Sequence, residues 1–188
     1  MTPADLLKQA LEAPADSAER ILFAVAAIDA LTAAPLVLVG GGAQLTHTGI
    51  GRITDVDVVG PVTSRDEERI RSAGLEKRGR HWVFESPKGA VAIEVPGDTL
   101  LGEEPPEVID LGGLLVRIIS VNDLMMDRLL QATDGTAVTW NEAFALAVAA
   151  RDRINWTSIR ARCAAMVGTE PFLQVMPDLL GRLEQALD

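Results

Sequence analysis

Cys163 is the sole cysteine in 188 residues, tyrosine is absent, and histidine is limited to His47 and His81. Soft metal ligands are therefore too few for a structural zinc site or a disulfide framework, and any metal should be oxygen-bound. Long apolar runs are also lacking. Ile21 to Ile28 and Ala143 to Ala150 stop at Asp29 and Arg151, well short of the roughly 20 residues a membrane-spanning helix needs. The opening residues carry Asp5 and Glu12 instead of a basic start and an unbroken apolar stretch, so no signal peptide or membrane association is read and the expected location is cytoplasmic. Basic residues are scarce as well: 17 Lys and Arg against 27 Asp and Glu leave a net charge of −10. That balance excludes broad duplex binding, which needs cations to neutralise phosphates. Local basic groups remain, Arg69 to His81 and Arg151 to Arg162, each read first as a solvated face.

What is present is apolar. Hydrophobic residues make up 48% of the chain and charged residues 23%, enough to bury a core and too apolar for a disordered chain. Apolar positions at Ile21, Leu22, Val25, Ile28 and Leu31 recur at helical spacing behind Asp16 or Ser17 as cap, and a helix over Asp5 to Glu12 precedes them. Leu36 to Val39 is a short, continuously apolar strand ending in the turn Gly40-Gly41-Gly42. Asp55 to Val59 alternates acidic with apolar residues, so its two aspartates share a face. Ser64 to Ala73 reads as a helix, His81 to Glu85 and Ala90 to Val95 as a hairpin, and Leu114 to Ile119 as a further strand. Helices follow over Val121 to Gln131, Trp140 to Arg151, Trp156 to Val167 and Pro177 to Leu187. The expected class is α/β (α+β): a mixed sheet flanked by helices over residues 1–119, then a helical region over 120–188. Among single residues, Cys163 reads as a small buried side chain, Asp123 and Asp127 as exposed, and His47 as surface.

Three features carry chemistry: the strand ending in Gly40-Gly41-Gly42-Ala43, the strand bearing Asp55-x-Asp57, and Glu94 within Ala92-Ile93-Glu94-Val95. Asp-x-Asp on a strand sets two carboxylates about 6 to 7 Å apart along one face. A neighbouring strand can bring Glu94 beside them, and three carboxylates so placed repel unless a cation lies between. Hard ions such as Mg²⁺ take carboxylate oxygens and share substrate phosphates. Glycines let backbone N–H groups approach those phosphates, most of all where Ala43 to His47 begins a helix.

The stretch Leu36 to Val59, with its Gly-Gly turn, short helix and Asp-x-Asp strand, resembles the nucleotidyltransferase superfamily typified by DNA polymerase β, in particular its small bacterial stand-alone members. Ser120 to Leu130 is more loosely similar to a helix of abortive-infection-type toxins. The resemblance implies a magnesium-dependent enzyme that transfers NMP from an NTP to a hydroxyl acceptor: an RNA, a protein or a small molecule. Asp55, Asp57 and Glu94 would be the catalytic residues and would hold two Mg²⁺ ions. Gly40, Gly41, Gly42, Arg52, Thr54 and Arg128 would bind the nucleotide, and a cognate antitoxin-like protein is an implied partner. The alternative is a catalytically weakened nucleotidyltransferase fold serving as a nucleotide- or partner-binding module. Gly41 where many relatives carry Ser, and Glu94 where Asp is commoner, motivate it.

Overall fold

A computed structural model describes residues 1–51, 53 and 55–187; Arg52 and Thr54, both assigned above to the nucleotide, lie outside the described residues. The chain divides into two compact units, Met1–Ile119 and Ser120–Asp188.

The first unit opens with α1 (Pro3–Glu12), started by a capping box between Thr2 and Asp5, and α2 (Ala18–Asp29), capped by the Ser17 hydroxyl. A capping side chain accepts a backbone N–H that the first helical turn leaves without a partner. Leu6, Leu7, Ile21, Val25 and Ile28 are buried on these helices. The remaining elements of the unit are β1 (Val37–Leu38), α3 (Gly40–Thr48), β2 (Val56–Val59), α4 (Ser64–Ser72), β3 (Glu76–Arg78), β4 (His81–Ser86), β5 (Gly89–Glu94), β6 (Glu107–Asp110) and β7 (Leu115–Ile118). Among the described residues the strands form one seven-stranded mixed sheet of order β3-β4-β5-β2-β1-β7-β6. β2 stands at its centre, parallel to β5 and antiparallel to β1. Leu38, Val56, Val58, Trp82, Ile93 and Ile118 fill one side of the strands.

The second unit contains α5 (Val121–Ala132), α6 (Ala137–Ala149), α7 (Trp156–Met166), a short 3₁₀ turn at Pro171–Val175 and α8 (Met176–Leu187). Its core holds Leu124, Met125, Leu129, Leu146, Ile159, Met176 and Leu183, together with Cys163. Burial pushes the Cys163 thiol up to about 11, so it is no nucleophile at neutral pH. Among the described residues no helix is long and apolar enough to cross a membrane.

The structure changes sequence expectations at the glycine triplet and at Asp123. The glycine triplet is the first turn of α3 instead of a turn ahead of it. Asp123, expected at the surface, is buried on α5, where Arg162 Nη2 donates to its Oδ1 at 2.6 Å.

The buried Asp66 ties α4 to the loop after α2. Its carboxylate accepts from the Thr63 hydroxyl and N–H, from Ala33 N and from Arg69. The Thr63 hydrogen bonds, first among these, hold the Asp66 carboxyl below its ordinary value. A depressed folded-state value stabilises the fold above the ordinary carboxylate range, and that stabilisation is lost as pH falls through the folded value. Melts between about pH 5 and pH 3 should therefore show a steeper acid loss for the native chain than for Asp66→Asn. Equal slopes would remove Asp66 from the acid response.

Candidate active site

The site is built across three adjacent strands. Along β2, Val56 and Val58 are buried and Asp57 faces the opposite side, as alternation requires. The parallel register pairs Asp57 with Glu94, and the antiparallel β4–β5 register pairs Glu94 with His81. His81, Glu94 and Asp57 thus form one row, backed by Trp82, Ile93 and Val56 on the buried side. Asp55 lies two residues before Asp57, immediately ahead of β2.

The side chains converge. His81 Nε2 is 3.0 Å from Asp55 Oδ2 and 3.6 Å from Glu94 Oε2, and one ligand atom from each of Asp55, His81 and Glu94 lies within 4.8 Å of the others. Arg80 Nε reaches the same Glu94 oxygen at 3.0 Å from a side chain that is 70% exposed. Glu94 itself is buried. Like charges on facing strands are destabilising without a cation, so this arrangement suits a positively charged ligand. His81 was grouped in the sequence with a basic stretch, and its place among the carboxylates makes the expected all-oxygen donor set a mixed one.

The helix α3 borders this row. Gly40 has φ +61°, and a Cβ placed on it would lie 2.6 Å from Asp57 Oδ2, so the backbone passes directly beside that carboxylate. Val39, at the N-cap of α3, makes no side-chain cap hydrogen bond. Gly41 is the more open position, whereas Gly42 is buried between Leu38 and Ile21 and serves close packing of α3. His47, expected at the surface, is half-buried with Nε2 2.8 Å from the Ile119 carbonyl oxygen.

Arg128 is in the second unit, buried, with Nη1 donating to Gln131 at 2.6 Å and facing Glu142 at 3.4 Å. The neighbouring Asp127, expected to be exposed, is half-buried, and burial raises its carboxyl. The basic group ahead of the hairpin is largely engaged: Arg78 pairs with Glu76 and Glu85, Arg71 with Glu67, and Arg71 and Lys77 lie over the Trp82 ring at 5.2 and 4.6 Å.

No protein-family model matches the chain, and no curated protein matches it in sequence. Solved structures do. An antigenic nucleotidyltransferase-like protein from Paracoccidioides brasiliensis superposes with a TM-score of 0.51 at 15% identity, over 79% of this chain and 84% of that one. JHP933 from Helicobacter pylori superposes with a TM-score of 0.50 at 14% identity, over 86% of this chain and 89% of that one. The chain has a nucleotidyltransferase-like fold.

Proposed function

We propose that this chain is a divalent-metal-dependent nucleotidyltransferase that moves NMP from an NTP to a hydroxyl acceptor. The observation that carries the reading is the cluster of Asp55, Glu94 and His81, with Asp57 paired to Glu94 in the strand register and set beside the first turn of α3, on this fold. The donor set suits a divalent cation, since carboxylate oxygens and one imidazole nitrogen face a common point. Asp55, Asp57 and Glu94 would hold Mg²⁺. When bound, the metal neutralises the triphosphate and acidifies the acceptor hydroxyl.

The chain's own groups do the positioning. Backbone amides of Gly40 and Gly41 orient the phosphates at the helix start. The acceptor oxygen bonds to the α-phosphorus as the bond to the β-phosphate breaks, pyrophosphate leaves, and Glu94 accepts the hydroxyl proton. The family pattern assigns Arg52, Thr54 and Arg128 to the nucleotide as well. With Arg71, Arg78 and Arg80 paired to acids and a net charge of −10, a protein or cationic small molecule is favoured as acceptor over RNA. The likeness of Ser120 to Leu130 to abortive-infection toxins supports a cognate antitoxin-like partner. A binding module without turnover is the second reading, favoured by the Arg80 and His81 contacts to Glu94.

The test is melting of the native chain and of Asp55→Ala/Asp57→Ala with each NTP, with and without Mg²⁺. A nucleotide at about 100 times its dissociation constant should stabilise the native chain by about 2.7 kcal/mol. That gain should require Mg²⁺ and vanish in the double variant. Pyrophosphate release then separates the enzyme from the binding module. No response to any nucleotide would overturn the enzyme and the nucleotide-binding module, leaving the partner-binding form of the second reading as the one to test.

A further inference from the structure

Among the described residues, the clustered carboxylates Asp55 and Glu94 are joined by one further side chain with a metal-ligating atom. His81 is brought there by the β4–β5 hairpin, whose strands are joined by the short link Pro87-Lys88, with Ser86 facing Gly89 and, five pairs further on, His81 facing Glu94. The ring is held with Nε2 inward: that one nitrogen lies 3.0 Å from Asp55 Oδ2 and 3.6 Å from Glu94 Oε2. Arg80, the other basic side chain at Glu94, is mostly exposed, so its guanidinium has room to swing aside.

We infer that His81 Nε2 is a direct ligand in the metal site and shifts its preference from Mg²⁺ toward a first-row transition ion, with Mn²⁺ the best match. The inference rests on the carboxylate site proposed above. Its physical basis is ligand softness. Oxygen-only sites suit Mg²⁺, which dehydrates reluctantly and seldom accepts nitrogen, whereas imidazole favours transition ions. Mn²⁺ lies at the oxygen-tolerant end of that series, so a set of carboxylates with a single imidazole suits it better than zinc or copper. A neutral imidazole also adds a ligand without adding to the negative charge of the three acids.

The test uses Mn²⁺ as a paramagnetic probe on the full chain. Because the chain has two histidines, ¹⁵N-histidine labelling is almost site-specific. Pulsed electron paramagnetic resonance of bound Mn²⁺ should show nitrogen coupling that changes on labelling, persists in His47→Gln and disappears in His81→Asn. In competition titrations, His81→Asn should lower the Mn²⁺ over Mg²⁺ affinity ratio about tenfold. If Mn²⁺ binds and Asp57→Asn weakens it, but no histidine nitrogen couples and His81→Asn keeps the native ratio, His81 only orients Asp55. The inference then falls while the carboxylate site stands. If neither ion binds the native chain, the inference and the proposed function fall together.

Discussion

Arg162→Ala should destabilise the chain by roughly 3–5 kcal/mol, one of the largest losses available to a single substitution away from the site. The Asp123 side chain is completely buried and Arg162 is 11% exposed, with 2.6 Å between Nη2 and Oδ1. Removing the guanidinium takes a charged partner from a carboxylate held in the low-dielectric interior, and a buried charge that loses its partner is costly. Replacing both partners with apolar residues of similar volume, Asp123→Leu/Arg162→Met, removes the stranded charge and should recover most of the loss. Urea denaturation of the single and double variants decides the matter. A cost below about 1 kcal/mol for Arg162→Ala would place the pair with ordinary surface bridges.

Gly40→Ala should lower both stability and affinity for the metal–nucleotide pair. The positive φ carries strain of about 1–3 kcal/mol for a residue with a Cβ. The new methyl would also come within 2.6 Å of Asp57 Oδ2, and the carboxylate is the group able to move. A displacement of about 1 Å in such a group costs on the order of 100-fold in function. Gly112→Ala separates the two effects: its φ is +69° with nothing within 4 Å of the added carbon, so it should lose stability and keep binding. Calorimetric titration with Mg²⁺ and NTP, beside melts of both variants, makes the comparison. Equal binding by Gly40→Ala and the native chain would show that Asp57 is not held by the approach of α3.

Local pattern carried much of this far. The alternation at Val56, Asp57 and Val58 was legible because it depends on one strand alone. The helices were legible from apolar spacing, with boundaries within a few residues for most. Edge strands β3 and β6 were not, since Glu76-Lys77-Arg78 is wholly exposed and Glu107 to Asp110 largely so, leaving no apolar alternation to read. His81 was obscured by its cationic neighbours. Its signal lay in the hairpin: taken with a two-residue link, the pairing of the strands leads directly to His81 opposite Glu94. Asp123 could not be placed because its partner is Arg162, distant in the chain, and no pattern within α5 announces that pairing.

The register has a consequence in time as well as in space. His81 and Glu94 belong to one hairpin, which closes a short loop and forms early on the scale of folding events. Asp55 and Asp57 reach it only through the parallel β2–β5 pairing, which spans a far longer stretch of chain and bears a larger closure cost. The growing chain therefore carries its acids in two separate halves, and their mutual repulsion is met only at the late docking of β2. Divalent ions present during refolding should then leave the early hairpin phase unchanged and accelerate the slow one.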